Sequence, residues 1–394
     1  MSQEATATRS RIDVMGLQKR SRCGYCGTRE GSRSFVVEAV RLGCGDYQEL
    51  LDRGWRRSGT SLYVTDHSTA CCAYYTIRTD ALRYAMRASD KRLLRRWRRQ
   101  GLLARGAAAA AAAASGPQPP PLEEQLAARG ARLEVRLEAA EFSEEKYLVF
   151  ARYQSAVHGD HDETRDGFRR FLCDSPLVPE PCGPAELLPH GLGSYHQCYY
   201  VDGRLAAVGV IDVLPRCVSS VYLFYDPDFG ALSLGSLSAL REIALVRELH
   251  RGASAQIAHY YMGYFVPSCA KMQYKAQRRP ADLLDLVTLA WVPIDRCLER
   301  IRAHPVFCTF DPAVDASAIV RDHPRDVLDR APVLDPAWLD AAGRAAAMRL
   351  QFAVGARRLS GADLARISAD VERVVLQTCA ALGPGLASRV DLLL

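Results

Sequence analysis

The sequence predicts an α+β protein: a cysteine-rich N-terminal module, a mixed α/β C-terminal domain and a helical tail. Three observations carry that prediction. Residues 21–79 are dense in Cys, Gly, aromatic and β-branched side chains. Residues 132–266 read in the order β-α-α-β-β-β-α-β, and the text beyond 312 is Ala-rich and helical in character. At 394 residues, 48% hydrophobic and 24% charged, the chain has room for two or three domains at roughly 100–200 residues each. That composition excludes collagen-like, disordered and disulfide-scaffold classes. No run approaches the ~20 apolar residues of a membrane span. The opening MSQEATATRSRIDVMGLQKR also lacks the apolar core of a signal peptide. The thirteen cysteines are therefore expected in a reducing compartment, as thiols or metal ligands.

Residues 1–20 are polar and without periodicity, which predicts a flexible tail. The cysteine-rich domain covers 21–105 and ends in a basic amphipathic helix, Arg83–Arg105. That segment holds nine Lys/Arg against the single acid Asp90, with Leu93, Leu94 and Trp97 at helical spacing. GAAAAAAAASGPQPPP within 106–122 is a low-complexity linker. In the domain spanning 123–311, Arg132–Leu137 alternates as a half-buried strand, and Ser143 caps a helix with Glu144 and Glu145 in its first turn. A second helix starts at Asp162 and gathers Phe168, Phe171 and Leu172 on one face. A loop over Pro176–Gly193 leads to strands at Ser194–Val201, Arg204–Leu214 and Cys217–Tyr225, the first two joined by the hairpin signal Asp202-Gly203. Helix Leu234–Leu249 and strand Ala258–Val266 complete the set, and 312–394 reads as an Ala-rich helical extension.

Cys23-Gly-Tyr-Cys26 and the adjacent pair Cys71-Cys72 form the first chemical signal. Two cysteines two residues apart can bind one metal from a tight turn. Adjacent cysteines point apart in extended chain, so they join the same site only through a local turn, as ligands of zinc or of an iron–sulfur cluster. Four buried thiols are the simpler alternative.

The element order resembles the N-acetyltransferase-like (GNAT) architecture, in which two neighbouring strands splay and hold an acyl donor. The resemblance puts that splay between Cys217–Tyr225 and Ala258–Val266. CoA-using members carry a basic, glycine-spaced loop that cradles pyrophosphate at a helix N-terminus. FGALSLGSLSA lacks both the base and the second spaced glycine, which implies a donor other than CoA.

Longer blocks resemble the eukaryotic arginyl-tRNA–protein transferases of the N-degron pathway. They are CGYCG (Cys23–Gly27), DYQELLDRGWRRSG (Asp46–Gly59), CCAYYTIR (Cys71–Arg78), EVRLEAAEFSEEKY (Glu134–Tyr147), Gly193–Phe229, SLGSLSALREIALVREL, YYMGYFVPSCAKMQYKAQRRP and WVPID. Together they cover about two-thirds of the chain. Ala73 departs from the family, where proline is common. The resemblance implies transfer of arginine from arginyl-tRNA to the α-amino group of proteins beginning with Asp, Glu or oxidised Cys. It also implies tRNA(Arg) as partner, no membrane, and a cytoplasmic location with the nucleus as a second option. A CoA-dependent N-acyltransferase and a non-enzymatic, metal-stabilised tRNA-binding protein are the competing readings.

That chemistry selects candidates. The donor guanidinium needs a carboxylate. Asp212 inside an apolar strand is the first choice, with Glu242 and Asp226 behind it; an ion pair of Asp212 with Arg241 or Arg216 is the structural alternative. Tyr225 offers an oxyanion donor and His196 a base, while Tyr195 and Tyr264 offer rings for the terminal adenine. Arg56 and Arg57, Lys271 and Lys275, and Arg278 and Arg279 are candidate cations for the acidic acceptor residue, with Arg57 and Lys275 the first choices. Arg92, Arg95, Arg96, Arg98 and Arg99 suit tRNA phosphates. Cys23, Cys26, Cys71 and Cys72 are the metal ligands.

Overall fold

A computed structural model describes residues 9–67, 70–103, 122, 126, 132–303, 307–313, 351–354, 357–360, 369–387 and 389–394. The chain opens with β1 (Arg11–Leu17), β2 (Ser34–Gly43), α1 (Cys44–Leu51), β3 (Arg56–Ser58), β4 (Ser61–Thr65) and β5 (Tyr75–Asp80). There follow α2 (Ala88–Arg99), β6 (Leu133–Ala139), α3 (Glu144–Tyr153), α4 (Arg165–Phe168), β7 (Leu177–Val178), β8 (Gly193–Val201), β9 (Arg204–Leu214), β10 (Cys217–Tyr225), α5 (Leu234–Gly252) and β11 (His259–Phe265). The last elements are β12 (Ala281–Leu284), β13 (Trp291–Pro293), α6 (Ile294–Ala303), β14 (Gln351–Val354), β15 (Arg357–Ser360), α7 (Ala369–Leu382), α8 (Pro384–Ala387) and β16 (Asp391–Leu393). This is a mixed α/β protein. By its internal contacts the chain forms two compact units. One comprises Met1–Arg78, Pro176–Val178 and Gly263–Leu394; the other comprises Thr79–Ser175 and Pro179–Met262.

The second unit is built on the strand run β11-β10-β9-β8-β6. Its middle strand β9 (RLAAVGVIDVL) is buried at every position after Arg204, as a strand covered on both faces must be. Val208 and Val210 on one face join Phe150 of α3, Phe168 of α4 and Phe224 of β10 in one apolar cluster. Gly209, between them, faces the other way, toward Ser238 and Glu242 of α5. The predicted hairpin forms as expected: Asp202 (φ +52) and Gly203 (φ +79) both lie in the left-handed region, which a two-residue turn of matching twist requires. Ser143 caps α3, its hydroxyl accepting from the Lys146 amide.

Several boundaries differ from the sequence reading. The basic helix is shorter than Arg83–Arg105. Asp90 accepts from the Arg87 amide and the Tyr84 hydroxyl and fixes the start at Ala88, while Gly101 at φ +73 follows its end. The second helix begins at Arg165 rather than Asp162, because the Thr164 hydroxyl caps the Gly167 amide.

The first unit is built on a sheet in the order β15-β14-β16-β1-β2-β4-β3, with β7 alongside β2. The N-terminal stretch expected as a tail thus contributes β1, antiparallel to β2 and parallel to β16. The stretch expected as a helical extension supplies the β14–β15 hairpin and β16 as well as α7. Strand formation depends on partners, and the pairing of β1 with β16 joins residues some 380 apart in sequence. The backbone carbonyl of Ala381 in α7 accepts from the Trp55 indole, which fastens this late helix beside β3. The linker expected over 106–122 lies outside the described residues except for Leu122, which is buried. Among the described residues no helix is long and apolar enough to cross a membrane.

Candidate functional sites

The four cysteines are brought together by two short turns. The Cys23 amide bonds the Thr28 carbonyl and the Gly27 amide returns to the Cys23 carbonyl, closing the C-x2-C loop. The Cys71 amide then bonds the Gly31 carbonyl at 2.9 Å, which carries the second pair onto that loop. Gly31 is the residue that permits the approach, since a Cβ there would sit 2.6 Å from the Cys71 sulfur. Cys71 and Cys72 lie in a bend rather than in extended chain, so both reach the same point. All four sulfurs fall within 4.8 Å of one another; Cys26 and Cys71 are 3.2 Å apart, and Cys71 and Cys72 4.0 Å. Four thiolates about 2.3 Å from a tetrahedral ion stand roughly 3.8 Å apart, so this donor set fits a metal.

Its electrostatics are uneven. Hydrogen bonds from the Thr28 side chain and amide bring Cys26 down to about 6. Burial pushes Cys23 up, but the Cys26 amide, the Tyr74 hydroxyl and the Tyr25 amide together outweigh it, leaving the thiol below its usual range. Burial pushes Cys71 up to about 11 and raises Cys72 as well.

Near this centre the first unit carries its candidate cations. Arg56 and Arg57 are neighbours on β3 and so project to opposite faces. Arg57 donates to the Gly59 carbonyl at 3.1 Å. Arg56 donates to the carbonyls of Trp55 and Gly263 and lies 4.9 Å above the Tyr264 ring. The Tyr264 hydroxyl donates to the Gly54 carbonyl, and the Lys275 ammonium to the Tyr264 carbonyl at 2.7 Å. Burial, and then the charge of Arg56, lower Lys275 to about 8.

In the second unit Asp212 is fully buried on β9 and accepts from the Ser194 hydroxyl at 2.6 Å; the Ser175 hydroxyl lies 2.6 Å beyond. Arg241, one expected partner of Asp212, instead pairs with Glu248 at 2.7 Å. Glu242 is buried on α5, accepts from Ser238, and faces Gly209. The remaining candidates are built into the scaffold. His196 is buried with Nε2 2.9 Å from the Leu172 carbonyl. The Tyr195 hydroxyl donates to the Gly191 carbonyl and accepts from the His190 amide. Asp226 is held by Arg152 at 2.8 Å and Arg204 at 2.6 Å. The Tyr225 ring meets that of Tyr153 edge-on at 4.9 Å.

The arginines of α2 line an open concavity of about 860 Å³, together with Ser233 and Ser236 at the start of α5. Arg92, Arg95 and Arg99 are exposed, while Leu94 and Trp97 are buried beneath them. Arg96 is partly committed, donating to the Ser233 hydroxyl at 2.9 Å and the Leu232 carbonyl at 3.2 Å. The Trp97 indole donates to the same carbonyl. Gly31, Ser175 and Ser194 escaped the sequence reading of the sites, which named Arg56 but put Arg57 ahead of it. Arg56 stood in the same dipeptide as Arg57, and only the pairing register of β3 separates the two.

The family description "Arginine-tRNA-protein transferase, N terminus" matches residues 21–92, and "Arginine-tRNA-protein transferase, C terminus" matches 145–285. The chain is similar to arginyl-tRNA–protein transferase 1 of Arabidopsis thaliana, 43% identical over 48% of this chain, though the match spans only 30% of that protein's length. Arginyl-tRNA–protein transferase 1 of Drosophila melanogaster is 31% identical over 72% of this chain and 82% of its own. An aspartate/glutamate leucyltransferase of Stutzerimonas stutzeri is 29% identical over 69% of this chain and 93% of its own.

Proposed function

The chain belongs to the arginine-tRNA–protein transferase family, and on that premise we propose that it transfers arginine from arginyl-tRNA to the α-amino group of proteins beginning with Asp, Glu or oxidised Cys, marking them for ubiquitin-dependent degradation in the cytoplasm. The ordered match of both family segments carries this reading. The reaction is acyl transfer. The acceptor amine attacks the ester carbonyl, a tetrahedral oxyanion forms, and the 3′-terminal ribose oxygen of the tRNA leaves with a proton. An α-amino group titrates near 7.7–8.0, so about a tenth to a fifth is already neutral near pH 7. Positioning therefore supplies much of the rate, and a general base about 10²–10⁴.

In this mechanism Glu242, buried on α5 and facing Gly209, receives the donor guanidinium, while Asp212, on the opposite face of β9 with the Ser194 hydroxyl, keeps a structural role. Tyr225 donates to the oxyanion. Cys23, Cys26, Cys71 and Cys72 hold zinc or an iron–sulfur cluster; such a closed four-thiolate site braces the fold around it. Exposed Arg92, Arg95 and Arg99 bind tRNA phosphates. Tyr195, His196 and Asp226 keep the scaffold roles their bonds define. A GNAT-like fold for the second unit is supported by the β10–β11 ladder, parallel over Cys217–Ser219 and His259–Tyr261 while β10 runs on to Tyr225.

The similarity to an aspartate/glutamate leucyltransferase favours a second reading, with the same acceptors and leucine as donor. Incubation with arginyl-tRNA or leucyl-tRNA and peptides beginning with Asp, Glu, Ala or Lys separates the two. Arginine should pass to the Asp and Glu peptides only. Leucine transfer would establish the second reading, and equal labelling of Ala and Asp peptides would remove the acceptor specificity.

A further inference from the structure

We propose that Arg56 reads the acceptor: its guanidinium receives the carboxylate of the N-terminal acidic residue, with the Lys275 ammonium beside it as the second cation. The proposal deepens the transferase reading and rests on it only for the identity of the acceptor.

Arg56 is only 7% exposed. Its guanidinium offers five N–H donors, and the partners it has are the neutral carbonyls of Trp55 and Gly263 and the face of Tyr264. Its Nε is buried without a hydrogen-bond partner. Among the described residues no carboxylate pairs with it. A buried charge held only by carbonyl dipoles is poorly compensated, and an anion that bonds the vacant N–H groups removes the deficit.

The surroundings suit such an anion. Arg56 and Lys275 are held by the carbonyls of consecutive residues, Gly263 and Tyr264, and the charge of one depresses the protonation of the other. Two cations set this close repel until a negative charge arrives. Tyr63, the register partner of Arg56 across β3 and β4, and Tyr264 are both raised by burial, so they stay neutral. Gly263 sits at φ +70 with nothing within 4 Å of where a Cβ would be, which leaves space beside the carbonyl that holds Arg56. Tyr25, 37% exposed, is the open flank of the group. A carboxylate fits this arrangement. An amide of the same shape does not, because it brings no charge and presents donors to donors.

Binding of labelled peptides that differ only in an N-terminal Asp or Asn tests the proposal without tRNA or turnover. The native protein should prefer Asp at least tenfold. Arg56→Gln should weaken Asp-peptide binding by about 10–100-fold, the scale of a lost charged hydrogen bond, while Asn-peptide binding changes less than threefold. Arg56→Lys, which keeps the charge and loses the fork, should fall between. Circular dichroism and metal content identify a variant that fails to fold, and in that case Arg56→Lys decides. Parallel loss for both peptides, or an unchanged Asp preference in Arg56→Gln, would overturn the assignment. If the native protein discriminates Asp from Asn through Arg56 yet transfers no amino acid, the transferase reading falls and this one stands.

Discussion

At the scale of single residues, the four-cysteine cluster depends on a side chain that is absent. Gly31 leaves room for the Cys71 sulfur, and Gly31→Ala would drive a Cβ to 2.6 Å from it. Elemental analysis should find zinc or iron in the native protein, a large loss in Gly31→Ala, and none at the site in a Cys71→Ser, Cys72→Ser variant. Full metal content in Gly31→Ala would show that the loop relaxes freely. Lys275 carries a pH prediction. Its ammonium is lowered from the ordinary 10.5 to about 8, so binding of an Asp-peptide should weaken as pH rises through 8, and Lys275→Arg should abolish that step. Stability moves the other way. Between about 8 and 10.5 the unfolded chain holds a proton that the folded chain has released, so raising the pH across that window favours folding, and urea midpoints of Lys275→Met should lack this increment. The sequence made all four cysteines legible, because spacing survives in text. It could not separate Arg56 from Arg57: both are buried, and which of them meets the Gly263 carbonyl and the Tyr264 ring depends on the register of a three-residue strand.

At the scale of elements, α2 is an apolar seam carrying a comb of charge. Leu94 and Trp97 bury the seam, while Arg92, Arg95 and Arg99 stand in solvent. Changing those three to Gln spares Arg96, whose bonds to Leu232 and Ser233 join α2 to the start of α5. The slope of log K for tRNA against log salt should then flatten by about 0.7–0.9 per lost contact, or about two to three units. Affinity should fall alike for every tRNA, because phosphate contacts carry no sequence. An unchanged slope in the folded variant would make the comb a solvated surface. Strands β8 to β10 and helix α3 were readable beforehand, since each is specified by its own periodicity, cap or turn. β1 was not. Its short alternation around Ile12 and Val14 is decided by partners at Val37, Ala39 and Leu392.

At the scale of the whole molecule, the first unit is assembled from the two ends of the chain. β1 and β16 lie side by side, Arg11 opposite Asp391 and Ile12 opposite Leu392, and β16 also carries β14 on its other edge. Deleting Asp391–Leu394 should therefore expose two strand edges at once, and self-association on mild heating, followed by light scattering, should increase. The same pairing sets an order of events during synthesis. Every residue of the second unit has been made once Met262 is added, so that unit can fold while the remaining chain is still being translated. β1 can pair with β2 early, but its other edge must wait for β16, some 380 residues later, a closure whose long span slows folding. Ribosome-bound chains halted near Arg300 should already protect the second unit from protease while the first unit, still without β14 to β16, remains open to cleavage. The neighbour that covers the second edge of β1 arrives only with Asp391–Leu393.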